Sequence, residues 1–315
     1  MLYQLKLITF FTSLFCFINI YGQQKSIEIT SKRNDDNSVT LNFKKMNPGS
    51  TYVIISFKRL ANTNSRSVVQ RTIKGRSGNV LTLKPINDKN GIEYSYSYTY
   101  MDGDHKPKPD ENFKYVLPFK NKEKVEVRNL SYLGKRFGNT EPKNWKAFQF
   151  LVTSGDTIYA SRKGIVVKIE NDLNSDNTQE YSFKSKANYI IVEHKDGTLA
   201  RYGVLKKNSI MVKLGDKVYP SMPIAIAGSY DKPENSQLRF TVYYLDKGNL
   251  ESYDRSKENL SNQRHFYAHI DPFFYVNDGQ IIKLTAGNTY STILNKEIIE
   301  LEMTKREKKK LAKFN

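Results

Sequence analysis

Four tyrosines, Tyr94, Tyr96, Tyr98 and Tyr100, recur at every second position and alternate with Ser and Thr. Only an extended strand puts such a set on one face. The same alternation runs through Ser38-Val-Thr-Leu-Asn-Phe43, a half-buried strand by pattern. Asn47-Pro-Gly-Ser50 reads as a turn, and Tyr52-Val-Ile-Ile-Ser-Phe57 as the next strand. Asn79-Val-Leu-Thr-Leu83 follows a Gly-Arg-Ser-Gly turn. β-branched and aromatic residues in short runs favour strands, and the chain holds 21 Tyr and 17 Phe in 315 residues. Residues 25–118 are therefore expected to form a β-sandwich of fibronectin or immunoglobulin type. The tyrosine stripe has two readings: it closes the sandwich core, or it binds sugars.

The second half is written the same way. Gly164-Ile-Val-Val-Lys-Ile169, Asn188-Tyr-Ile-Ile-Val-Glu193, Ile210-Met-Val-Lys213 and Pro223-Ile-Ala-Ile-Ala227 are short apolar runs. Turn signals such as Lys195-Asp-Gly197 and Gly215-Asp216 separate them, and no helix-period segment intervenes. The expected organisation is a linker at 119–143, a second, antiparallel β domain at 144–283, and a basic, partly helical tail at 284–315. The tail is read either as a solvated extension or as a surface that docks on an anionic partner.

The N-terminus reads as a secretory signal over residues 1–22. Lys6 supplies the positive charge, Leu7 to Ile20 the apolar stretch, and Gly22 a small residue before the cut. An uncleaved anchor and a lipoprotein at Cys16 are the alternatives. The apolar run is short for a bilayer, and Phe15 stands where a lipobox needs a small residue. The expected location is outside the inner membrane, in a periplasm or on a cell surface. Cys16 is the only cysteine, so the mature chain offers no thiolate for catalysis or metal binding. Formal net charge is +18, from 50 basic and 32 acidic residues. Such a balance draws a protein to polyanions, or simply keeps it soluble. Export sets nucleic acid aside and leaves anionic headgroups, lipopolysaccharide and acidic wall polymers as candidates.

Six blocks in order carry a family resemblance. They are Gly155-Asp-Thr-Ile-Tyr-Ala…Gly164-Ile-Val-Val, Asn188-Tyr-Ile-Ile-Val-Glu-His-Lys-Asp-Gly197, Tyr202-Gly-Val-Leu205, Val212-Lys-Leu-Gly-Asp-Lys-Val218, Pro223-Ile-Ala-Ile-Ala-Gly228 and Leu238-Arg-Phe-Thr-Val242. Over roughly 145–245 the chain resembles the lysostaphin-type (LytM-like, duplicated hybrid motif) zinc peptidases. Asp271-Pro-Phe-Phe-Tyr275 is similar to the segment that closes such domains. Ser221 stands where the family usually has Gly, which points to a slightly different turn.

The resemblance implies a zinc site whose ligands come from "H-x-x-x-D" and the second His of "H-L-H". The His of "Y-A-H-L" and the first His of "H-L-H" act on the attacking water. Those positions fall here on Trp145 and Gln149, on Arg239, and on Val204 and Gln237. All five functional groups are missing, so neither zinc nor peptidase activity is expected. A groove lined by Trp145, Gln149, Tyr202, Val204, Gln237 and Arg239 is expected to remain. His194 matches a family histidine that is not a ligand. His265 and His269, four apart, lie outside the family site, with Asp271 as a candidate companion for an unrelated metal. The leading expectation is a non-catalytic envelope protein that binds peptidoglycan or regulates a wall hydrolase. An active peptidase with a displaced metal site and an adhesive or structural envelope component are the alternatives. Oligomeric state is not legible.

Overall fold

The computed structural model describes residues 26–137, 140–173, 187–230, 233–246 and 266–311. The expected signal segment and His265 lie outside these residues.

The first unit is a sandwich of two antiparallel three-stranded sheets. One holds β1 (Ile27–Arg33), β2 (Val39–Lys45) and β5 (Ser77–Leu83) in the order β1-β2-β5. The other holds β3 (Thr51–Ala61), β4 (Val68–Ile73) and β6 (Glu93–Asp102) in the order β4-β3-β6. Alternation aims Val39, Leu41 and Phe43 of one sheet at Val53, Ile55 and Phe57 of the other. The tyrosine stripe closes this core. Tyr94 Oη donates to Ser31 Oγ at 2.9 Å, Tyr96 Oη to the Ile29 carbonyl at 3.0 Å and Tyr98 Oη to the Ile27 carbonyl at 3.3 Å. Tyr100 meets Ser26 in the same way. The phenols thus tie β6 to β1, the edge strand of the opposite sheet, while their rings pack on the core.

The second unit is built on a nine-stranded sheet. Its strands are β8 (Lys124–Asn129), β9 (Phe148–Leu151), β11 (Gly164–Glu170), β12 (Asn188–Glu193), β13 (Leu199–Leu205), β14 (Lys217–Val218), β16 (Gln237–Leu245), β17 (Tyr267–Ile270) and β20 (Thr289–Ser291). They run in the order β14-β11-β12-β13-β16-β9-β8-β20, with β17 also on β16. β10 (Thr157–Tyr159) pairs with β15 (Pro223–Ile226). β7 (Lys114–Val116), β18 (Phe273–Val276) and β19 (Gln280–Lys283) form a third small sheet. Phe148, Phe150, Tyr202, Phe240 and Phe274 fill the centre of one continuous core.

Two stretches differ from their sequence reading. The segment read as a linker at 119–143 carries β8, which pairs with β9 and β20. Val125 and Val127 alternate with Lys124, Glu126 and Arg128, so one face of β8 enters the core while the other stays charged. The segment read as a tail supplies β20 and two short helices, α1 (Lys296–Glu300) and α2 (Lys305–Leu311). It folds back on the second unit through acids set among its bases. Glu302 meets Arg162 at 2.9 Å, and Glu307 meets Lys163 at 2.7 Å.

The two units pack against each other because β3 is buried on both faces. Val53 and Ile55 face the sandwich core, while Tyr52 and Ile54 join Met101, Leu245 and Phe266 in a separate apolar cluster. Polar contacts flank it: Ser50 N donates to Glu193 Oε2 at 2.7 Å, and Lys168 lies 3.2 Å from Asp102.

Candidate functional site

Arg239 is the third residue of β16, opposite Gly203 of β13 on one side and Gln149 of β9 on the other. Residues paired across a sheet share a face, so these three form one row. Gln237, two residues back along β16, takes the same face, and its Oε1 accepts from Arg239 Nε at 3.2 Å. The guanidinium lies 4.5 Å from the centre of the Tyr230 ring, a cation–π distance.

Val204 reaches this place through an irregularity. Asn188 pairs with Leu205 and Tyr189 with Gly203, which leaves Val204 as the extra residue of a bulge. Its φ is +68°, a costly value for a β-branched residue. Its carbonyl accepts from Gly228 N at 2.9 Å, and the Gly228 carbonyl accepts from Gln237 N at 3.0 Å. The backbones of Val204 and Gln237 are therefore joined through Gly228.

The structure gives two of the expected groove residues other neighbourhoods. Tyr202 belongs to the core face of β13, since side chains alternate and Gly203 takes the groove face. It is fully buried, packs on Phe240 at 5.1 Å, and its Oη accepts from Ser161 N at 2.8 Å. Burial pushes this phenol up to about 12. Trp145 precedes β9 and packs its ring, tilted, against Tyr132 at 5.0 Å and His269 at 4.6 Å, its Nε1 donating to the Leu130 carbonyl at 2.7 Å. It connects to the row only indirectly. Thr241, two residues beyond Arg239, donates to the Lys146 carbonyl at 2.7 Å and bonds His269 Nδ1 at 2.8 Å.

His269 is buried, and burial lowers it to about 4, so it is neutral at pH 7. Asp271 is held by Lys146 at 3.2 Å. His194 is also buried; its Nδ1 lies 2.8 Å from the Lys163 carbonyl, and burial, then nearby Arg162, lowers it to about 3. Among the described residues no group of three His, Cys, Asp or Glu side chains is placed to hold a metal ion.

Sequence reasoning did not single out Arg201. It shares the face of Gly203, and its guanidinium lies 4.3 Å from the Tyr189 ring. A Cβ on Gly203 would come within 2.6 Å of Arg201 Nη1, so the glycine makes room for that guanidinium. The period-two spacing from Arg201 to Arg239's partner Gly203 was the available signal.

This is an antiparallel β domain whose central face carries two arginines and two glutamines. Residues 143–252 match the model of Peptidase family M23. Solved structures similar to the chain include the M23 metalloprotease Pseudoalterin from deep sea, at 14% identity over 57% of this chain and 98% of that one, with a TM-score of 0.30. A zinc-containing peptidase from Vibrio cholerae shares 15% identity over 69% of this chain and 75% of its own, with a TM-score of 0.26. Csd3 from Helicobacter pylori shares 12% identity over 92% and 78%, with a TM-score of 0.29. No curated protein matches the chain.

Zinc tests the row's chemistry. A catalytic zinc needs three nitrogen, sulfur or carboxylate donors and an open position for water. Trp145 has only an N–H, spent on Leu130. Gln149 offers a neutral amide, and Arg239 a permanent positive charge. This donor set does not fit the metal.

Proposed function

We propose that this chain is an exported cell-envelope protein whose M23-type domain binds peptidoglycan through its central groove without cleaving it. One observation carries the reading: Arg239, not an imidazole, occupies the middle of the row, between Gln149 and Gly203. Two unit charges a few ångströms apart repel by roughly 1 to 4 kcal/mol, and a divalent ion about doubles this. The same guanidinium suits a carboxylate, which it can hold by two parallel hydrogen bonds. Stem peptides of the wall carry such groups. Gln149 and Gln237 add neutral donors and acceptors for peptide amides. The apolar leader at residues 1–22 supports a location in the periplasm or on the cell surface.

Co-sedimentation with purified wall sacculi tests the reading. The mature chain is expected to pellet with sacculi and to leave them intact. Arg239→Glu should weaken pelleting about fivefold or more, since it replaces attraction for carboxylate by repulsion. A wild-type chain that stays in the supernatant, or that releases soluble wall fragments, contradicts the proposal.

A further inference from the structure

Where the two units meet they enclose a cleft of about 670 Å³. This lies within the range of ligand pockets, roughly 300–1,000 Å³. One wall is the sandwich, with the β2–β3 turn at Gly49 and the loop after β6 carrying Lys106 and Lys108. The other is the M23-type domain, with the start of β11 at Gly164 and the β12–β13 turn carrying Lys195. The walls are pinned together. Lys108 N donates to the Asp196 carbonyl at 2.8 Å, and Ser50 N to Glu193 Oε2 at 2.7 Å. Gly197, at φ +85°, approaches Pro107 so closely that a Cβ would lie 3.0 Å from it. A cleft fixed in this way is preformed, which limits the ordering cost of binding.

Its charge is one-sided once internal pairs are set aside. Asp104, Glu193, Asp196 and Glu302 line it, and each is already engaged. Asp104 accepts from Thr72 Oγ1 at 2.9 Å and meets Lys74 at 3.2 Å. Glu193 accepts from the backbone and hydroxyl of Ser50. Asp196 and Glu302 share Arg162 at 2.8 and 2.9 Å. Among the lining lysines, Lys74 faces Asp104, and Lys163 and Lys217 face Glu307. Lys106, Lys108 and Lys195 are exposed, and no ion pair with another described residue engages them.

We infer that this cleft binds a segment of an acidic glycan. Among the described residues the lining has no Phe, Tyr or Trp on which a nucleobase could stack. Among the described lining residues Ile165 is the one aliphatic side chain beside two prolines, which gives an acyl chain no bed. Lysine ammonium groups are compact charges with rotatable donors, suited to carboxylates spaced along a flexible polar chain. The site is distinct from the Arg239 row. The cleft is lined at the β12–β13 turn, at Gly197, whereas Gly203 of the row lies near the far end of β13, which runs from Leu199 to Leu205.

Titration calorimetry of the full mature chain tests the assignment with polygalacturonate, neutral dextran and inorganic polyphosphate. Polygalacturonate is expected to bind, dextran not, and affinity to fall as salt rises to about 0.5 M. The triple variant Lys106→Gln, Lys108→Gln, Lys195→Gln should lose about tenfold in affinity, as three exposed ion pairs allow. Lys58→Gln, Lys84→Gln, Lys89→Gln removes the same charge from elsewhere on the sandwich and should cost less than about twofold. Equal losses in the two triples would show a diffuse attraction and overturn the site. Tighter binding of polyphosphate than of polygalacturonate would overturn its glycan chemistry.

Discussion

Replacing Arg162 by Met should be among the most damaging single changes in the chain. Its side chain is 3% exposed and serves four acceptors and rings at once. Nη1 donates to Asp196 Oδ2 at 2.8 Å and to Tyr115 Oη at 3.1 Å. Nη2 and Nε grip Glu302 at 2.9 and 3.1 Å, the two-pronged geometry that strengthens such pairs. The guanidinium also lies 3.6 Å from the centre of the Phe113 ring. Met restores much of the volume but leaves two carboxylates without their counter-charge. Breaking a buried pair from one side costs about 3–5 kcal/mol. For a chain of this size, about 2 °C per kcal/mol gives a drop in Tm of roughly 6 to 10 °C. Glu302 anchors the C-terminal segment, so limited trypsin digestion should also cut near α2 sooner in the variant. Arg162→Lys keeps the charge without the fork and should fall between. A Tm within about 2 °C of wild type, with an unchanged trypsin pattern, would show that Arg162 does not hold these carboxylates in place.

His269 should make the chain sensitive to mild acid. Its folded pKa, about 4, lies below the usual 6.5, so the unfolded chain takes the proton first as pH falls. The associated stability is full above pH 6.5 and is lost as pH falls toward 4, up to about 3 kcal/mol. Thermal melts of wild type and His269→Gln across that window should show a shallower slope in the variant; parallel slopes would contradict the account. Ser221→Gly should stabilise the chain by about 0.5–1 kcal/mol, because φ there is +70°. A lower midpoint in urea would count against it.

Much of the fold was legible because strands announce themselves by alternation. The tyrosine stripe, Ser38–Phe43 and the apolar runs beginning at Gly164, Asn188 and Pro223 became strands, whereas the run Ile210–Lys213 has no regular secondary structure. Ser221, which stands where the family usually has Gly, adopts the left-handed backbone that favours glycine. β8 was hidden by its charged neighbours and by partners far along the chain. The tail's docking rests on ion pairs between Glu302 or Glu307 and residues about 140 positions earlier, which spacing cannot reveal. Within the site, the motif order placed Gln149, Gln237 and Arg239 on neighbouring strands. The motif Tyr202-Gly-Val-Leu205 points Tyr202 to the groove, but its neighbour Gly203 pairs with Arg239 and so turns Tyr202 to the core. The bulge at Val204 breaks the strand's parity, and no residue pattern gave notice of it.

The proposed groove binds wall peptide without zinc and without cleaving it. Elemental analysis of the purified mature chain, loaded with excess zinc, desalted and then assayed on sacculi, tests this most directly. Well under about 0.1 zinc per chain and no solubilised wall peptide are expected. About one zinc per chain, removed by chelator together with wall-lytic activity, would contradict the proposal.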